Sequence, residues 1–216
     1  MELMEFFQRG GPLMYLIAFA SVIGLAAYLE RLFALQKDRV IPKRITKEVI
    51  QMVKAGNIDH AQVMLRENQS PLATIFDAIL RYEKAPLPLV KEAAEEAGRQ
   101  EAARLERFTT ALGSVASVTP LMGLLGTVTG MIVVFQRVAQ TGVGDPLEMA
   151  AGIWESLLTT AFGLAVGIPA LIAHRHTLRR IDGLILELEA ESLRLVETME
   201  RLKATETLSD TTMPES

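Results

Sequence analysis

The stretch from Gly152 to His174, GIWESLLTTAFGLAVGIPALIAH, decides how the chain is read, because an acid, Glu155, and two threonines, Thr159 and Thr160, head an otherwise apolar run. Ser156 to Ala173 gives 18 residues without a charge, and about 24 if Ala150 to Glu155 belong to the same helix. A bilayer core about 30 Å thick needs roughly 20 apolar residues at 1.5 Å each, so the run is long enough to span. Two further runs meet the same test. Gly10 to Leu29 is 20 residues without a charge and Phe108 to Gln136 is 29. The chain of 216 residues is 50% hydrophobic with a net charge of only -4, a balance that sets it apart from ordinary soluble domains.

The first run is preceded by Glu2 and Glu5 with a single Arg9, and no small-residue cleavage pattern follows it before Glu30. It reads as a retained first span rather than a secretory signal. Orientation follows from Lys and Arg near the span ends. Arg31, Lys37, Arg39, Lys43, Arg44 and Lys47 follow span 1, Arg99, Arg104 and Arg107 precede span 2, and Arg175, Arg179 and Arg180 follow span 3. Those flanks are expected in the cytoplasm, with the amino terminus outside and the carboxyl terminus inside.

The resulting division is a short outer segment 1–9, span 1 at 10–33, a cytoplasmic helical region 34–107, span 2 at 108–137, an outer loop 138–147, span 3 at 148–174, a cytoplasmic amphipathic helix 175–203, and a disordered polar tail 204–216. Within the cytoplasmic region, Pro42, Gly56 with Asn57, Pro71, and Pro86 with Pro88 punctuate short amphipathic helices at about 43–55, 58–68 and 71–84. From Pro88 a longer helix meets no breaker except Gly98 and is expected to enter span 2 as one rod. After span 3, Ile181, Leu184, Leu188, Leu195, Met199 and Leu202 recur at helical spacing, so that helix too should continue past the membrane. Both apolar stripes need cover. A second copy of the chain is the preferred cover, and packing on the chain's own short helices is the alternative.

Cysteine is absent, which excludes disulfides, thiol nucleophiles and thiolate metal sites. His174 and His176 are two apart, on different helix faces rather than at the i, i+4 spacing of a helical zinc pair, and read as interface residues at the basic end of the span. No phosphate-binding glycine loop occurs, and the basic residues are scattered over several flanks without aromatic interleaving, so nucleic acid is not an expected partner. No enzyme activity, cofactor or metal is expected.

Small residues mark the faces of spans 2 and 3. Gly126 with Gly130, and Gly163 with Gly167, are GxxxG pairs that let helix backbones approach, and Gly123 adds to the same set. Pro120 and Pro169 free the carbonyls of Ala116 and Ala165 and mark kinks or gating points. Thr127 lies nine residues before the outer end of span 2 and Thr160 ten residues after Ala150, so the two stand nearly level. Thr159 shares a helix face with Glu155, whereas Thr160 is about 140° away. A threonine in a membrane helix ordinarily bonds back to the carbonyl one turn earlier. An acid at membrane depth costs about 2.5 to 3.5 kcal/mol at the centre, less near the interface, and faces a bundle interior or water.

These motifs, TPLMGLLGTVTGM in span 2 and GIWESLLTTAFGLAVGIPA in span 3, together with the span order and the long first cytoplasmic region, resemble the MotA/TolQ/ExbB proton channel family, with the three-span size closest to ExbB and TolQ. The resemblance implies an all-α membrane protein with three transmembrane helices, assembling as a pentameric ring in the bacterial inner membrane. It further implies an ExbD- or TolR-like single-span partner dimer in the ring centre, a TonB- or TolA-like protein beyond it, and protons as the driving ion. Thr127, Glu155 and Thr160 match the family's polar pore-lining positions, and Thr159 stands where ExbB-like sequences commonly carry a small apolar residue. The competing reading is a passive multispan scaffold whose small and polar residues serve helix packing alone.

Overall fold

The computed structural model describes residues 11–142 and 146–211, and among them the chain forms eight helices and no strand. They are α1 (Gly11–Ala34), α2 (Lys37–Val40), α3 (Lys43–Lys54), α4 (Ile58–Glu67), α5 (Pro71–Arg81), α6 (Leu87–Glu106), α7 (Thr109–Thr141) and α8 (Pro146–Thr211). The chain divides into two units, Met1–Leu32 with Phe108–Leu178, and Phe33–Arg107 with Arg179–Ser216.

The first unit holds three helices long and apolar enough to cross a membrane, each with a mean hydropathy of 1.9 over its best window. Large apolar side chains such as Phe19, Val22, Phe135 and Ile172 lie exposed on them, as lipid contact requires. Helices α7 and α8 each contain a proline within their length, Pro120 and Pro169, without a break in the helix. Gly24 of α1 admits Val115 of α7, whose Cγ1 lies 3.0 Å from where a Cβ on that glycine would stand.

The second unit has an ordinary apolar core. On α5 the residues Leu72, Ala73, Ile75, Phe76, Ile79 and Leu80 are buried, the i, i+3, i+4, i+7 pattern of a helix with one covered face. Ser70 caps that helix by accepting from the Ala73 N–H at 3.3 Å, and Pro71 fills its first position. Helix α3 ends at Gly56, whose φ of +75 permits a Schellman turn: Gly56 donates to the Val53 carbonyl at 3.0 Å and Asn57 to the Met52 carbonyl at 2.9 Å. Lys37 reaches Glu187 at 2.7 Å, and Arg180 donates to the Leu35 carbonyl at 3.0 Å.

The apolar stripe of α8 is covered inside this unit. Ile181, Leu184, Leu188, Leu195 and Met199 are buried together with Val49, Ile75, Ile79 and Leu80 in one cluster, with Leu202 packed against it. The chain's own short helices therefore supply the cover for which a second copy was the preferred source.

Three boundaries differ from expectation. The rod from α6 into α7 is interrupted at Arg107 and Phe108. Phe108, at φ -93 and ψ -4, stays in the right-handed region but with ψ opened to near zero, and the Arg31 guanidinium sits 4.9 Å from its ring centroid. Helix α8 continues to Thr211, well into the stretch read as a disordered tail, although five of the eight residues from Ala204 are Thr, Ser or Asp, which are weak helix formers. The four-residue helix α2 was not anticipated. The outer segment 1–9 and residues 212–216 lie outside the described residues.

Candidate functional site

Helices α7 and α8 pack antiparallel along a seam set by small residues. Going from one end to the other, Gly152 faces Val134, Ser156 faces Gly130, Thr159 faces Gly126, Thr160 and Gly163 face Gly123, and Gly167 faces Pro120. The approaches are too close for a side chain. A Cβ on Gly126 would lie 2.5 Å from Thr159 Cγ2, one on Gly130 2.6 Å from Ser156 Cβ, and one on Gly163 2.7 Å from the Thr119 carbonyl oxygen. Without hydrophobic drive in lipid, such close backbone contact and hydrogen bonds across the seam are what hold two helices together. A Cβ on any of Gly123, Gly126, Gly130, Gly163 and Gly167 would stand within 3.0 Å of an atom of the facing helix, which at Gly167 is Cγ of Pro120.

This register also sets depth. Thr127 stands beside Gly126, which meets Thr159, so Thr127 and Thr160 are level as expected. Their hydroxyls behave differently. Thr127 donates back to the Leu124 carbonyl at 2.7 Å and Thr159 back to the Glu155 carbonyl at 3.1 Å. Thr160 instead donates across the seam to the Gly123 carbonyl at 2.7 Å.

Burial separates the two neighbouring threonines. Thr159 is only 2% exposed and fills the notch over Gly126, so it belongs to the packing of the pair and not to a lining face. Its placement corrects its inclusion among the lining residues. The wheel drawn from Glu155 placed Thr159 beside the acid, but the seam glycines set which face is covered, and that face includes Thr159. Thr160 remains partly exposed.

Glu155 is exposed on α8, and its carboxylate has no hydrogen-bond or ionic partner among the described residues. With the seam running through Ser156 and Gly163, Glu155 lies at one flank of it and Thr160 at the other, about 140° apart. A single chain therefore brings Thr127, Thr159 and Thr160 to one level but does not bring the acid onto the threonines.

Two polar residues of the seam escaped the sequence reading. Thr119 is fully buried and donates to the Val115 carbonyl at 2.9 Å, and Ser156 is buried against Gly130 while donating to the Ile153 carbonyl at 2.8 Å. Matching the two glycine sets in antiparallel order places Ser156 opposite Gly130, and that was the available signal. At the other end of the seam the two histidines part company. The His174 ring fills the space over Gly113, with Cε1 3.0 Å from where a Cβ would stand, and His176 meets Tyr28 edge-on at 6.4 Å between ring centroids.

A family model described as the MotA/TolQ/ExbB proton channel family matches residues 67–190, from the end of α4 to the middle of α8. The chain belongs to the MotA/TolQ/ExbB proton channel family. It is 30% identical over 86% of its length to the ExbB homolog of Methanothermobacter thermautotrophicus and 33% identical over 81% to the ExbB-like 1 protein of Synechocystis sp.. It is 29% identical over 77% of its length to the biopolymer transport protein ExbB of Pseudomonas putida. The aligned parts make up 66%, 70% and 53% of those three proteins. The match of this MotA/TolQ/ExbB member takes in the whole α7–α8 seam and both flanking polar positions.

Proposed function

We propose that the chain is the ring subunit of an inner-membrane proton-channel motor, a pentamer around an ExbD/TolR-like single-span partner dimer. The assembly draws on the proton motive force to energise outer-membrane transport or envelope processes through a TonB- or TolA-like protein. The amino terminus faces the periplasm and the carboxyl terminus the cytoplasm, as the distribution of Lys and Arg favours.

The observation that carries this reading is Glu155. A family member keeps an unpaired carboxylate in a spanning helix, on the flank of a seam whose Thr127 and Thr160 stand about one turn deeper. The cost of an acid there is offset when it faces water or a partner's polar groups rather than lipid. No other carboxylate lies between Gly10 and Leu29, between Phe108 and Gln136 or between Ser156 and Ala173, so a second acid at that depth would come from a partner. Protonation of a partner acid removes its charge and changes which polar wall it prefers, and one elementary charge crossing 100 mV yields about 2.3 kcal/mol to bias that step. A passive scaffold explains the glycines equally well but leaves Glu155 without a role.

Purified in detergent, the chain should run as an oligomer that retains a single-span subunit. In cells, Glu155→Ala, Thr127→Ala and Thr160→Ala should each abolish energised transport while the assembly survives. A stable monomer, or full transport by the triple variant, would overturn the reading.

A further inference from the structure

We propose that a groove of the second unit, between α6 and α8, receives the bare face of α8 from a second copy of this chain, so that neighbouring subunits join head to tail; the inference rests on the ring reading above. Both helices bury one face in the unit's core, α6 through Val90, Ala97 and Leu105 and α8 through Ile181, Leu188 and Leu195. Between them runs a groove of about 730 Å³, with the buried Ile75 of α5 in its lining. The α6 wall consists of Ala94, Gly98 and Ala102, spaced by four and so on one side of the helix. A Cβ on Gly98 would meet nothing within 4 Å, and no residue of that row is larger than alanine. Such a row leaves holes of the kind that leucine knobs fill.

The same chain carries the knobs. Leu186 and Leu193 are 66% and 52% exposed, stand seven apart on one side of α8, and turn away from the buried Ile181, Leu188 and Leu195. Leucines at heptad spacing are the pattern of a helix-packing seam. Leu193 also stands at the rim of the groove, so α8 walls one binding surface and presents the other.

Register matches the two surfaces. Leu87 and Val90 share a smaller neighbouring pocket with Met199 and Lys203, whereas Ala94 and Ala102 share the groove with Ile185 and Val196. The two helices are therefore antiparallel here, and Leu193 is about level with Ala94, Leu186 with Ala102 and Glu197 with Lys91. Rotation about an axis along the helices keeps every residue at its own level, so in a cyclic assembly these are the pairs that meet. Charge agrees with that register. Lys91 and Glu197 are both exposed and have no ion-pair partner among the described residues, and paired across two copies they fix orientation. Because knob and groove are different surfaces, the contact repeats from copy to copy around a ring instead of closing between two.

The chain has no cysteine, so introduced thiols report this contact alone. Copies carrying Ala94→Cys under one tag and Leu193→Cys under another are produced together and oxidised in membranes with copper phenanthroline. A doubly tagged dimer should form, as it should for Lys91→Cys with Glu197→Cys, and none should form when either variant is produced alone. Val63→Cys, exposed on α4, should give no dimer with Leu193→Cys. A benzophenone maleimide attached to the Gly98→Cys variant should capture a second copy on illumination. Capture of the single-span subunit in its place, dimers from Leu193→Cys alone, or no doubly tagged dimer from either pair would overturn the proposal. If those results come with an unaltered oligomeric mass in detergent, the ring reading stands without this contact; if the unaltered chain runs as a monomer, the ring reading fails as well.

Discussion

Gly126 and Gly98 are both helical glycines, yet their surroundings give opposite expectations. A Cβ on Gly126 would stand 2.5 Å from Thr159 Cγ2, whereas one on Gly98 would meet nothing within 4 Å. Gly126→Ala must push the two spans apart or twist Thr159 from its rotamer, at about 1 to 3 kcal/mol. Gly98→Ala relieves the entropic penalty of glycine in a helix and should stabilise by about 0.5 to 1 kcal/mol. Thermal unfolding in detergent should therefore move Tm down for the first and up for the second. Equal shifts would mean that the seam does not limit stability. Thr160→Val tests the bond across the seam. It removes one interhelical hydrogen bond, of the kind worth about 0.6 kcal/mol on average in membranes, and leaves the Gly123 carbonyl without that donor. The choice between Thr159 and Thr160 was not legible from the sequence because the wheel was centred on the most conspicuous residue, Glu155. Burial is set by the glycines, which point elsewhere.

At the scale of elements, punctuation carried most of the fold. Expected helices at 43–55 and 58–68 became Lys43–Lys54 and Ile58–Glu67 because Pro42, Gly56 and Asn57 impose backbone conformations that few other residues tolerate. The Arg107–Phe108 break was hidden for the opposite reason. Both residues remain in the right-handed helical region, and a small change in ψ is not written in residue type. The stripe on α8 was legible as a stripe but not as to what covers it, since periodicity reports a buried face and is silent on the partner. Two variants probe the second unit. Phe76→Ala empties a fully buried site in its core and should cost about 3 to 5 kcal/mol. Gly56→Ala forces a Cβ into a left-handed φ of +75 and should cost about 1 to 2 kcal/mol, although nothing lies within 4 Å of it. If Gly56→Ala were neutral, the Schellman turn would not be what ends α3.

For the whole molecule, Glu155 sets stability against function. An ionised carboxylate in a span costs up to about 2.5 to 3.5 kcal/mol, and no partner within the described residues offsets it. Glu155→Gln keeps the shape and removes the charge. If the acid serves only as a polar surface group near the interface, the change should alter neither Tm nor transport. If it is retained for proton work, the variant should unfold at the same or a higher temperature, run at the same assembled mass, and fail to energise its partner. Thr160→Val should lose stability as well, because its hydroxyl is also a tie between helices. The informative measurement is thus the pair of readouts on both variants. A Glu155→Gln protein that loses stability and activity together would make the carboxylate a structural contact between subunits, and the proton path would then have to be sought along the seam without it.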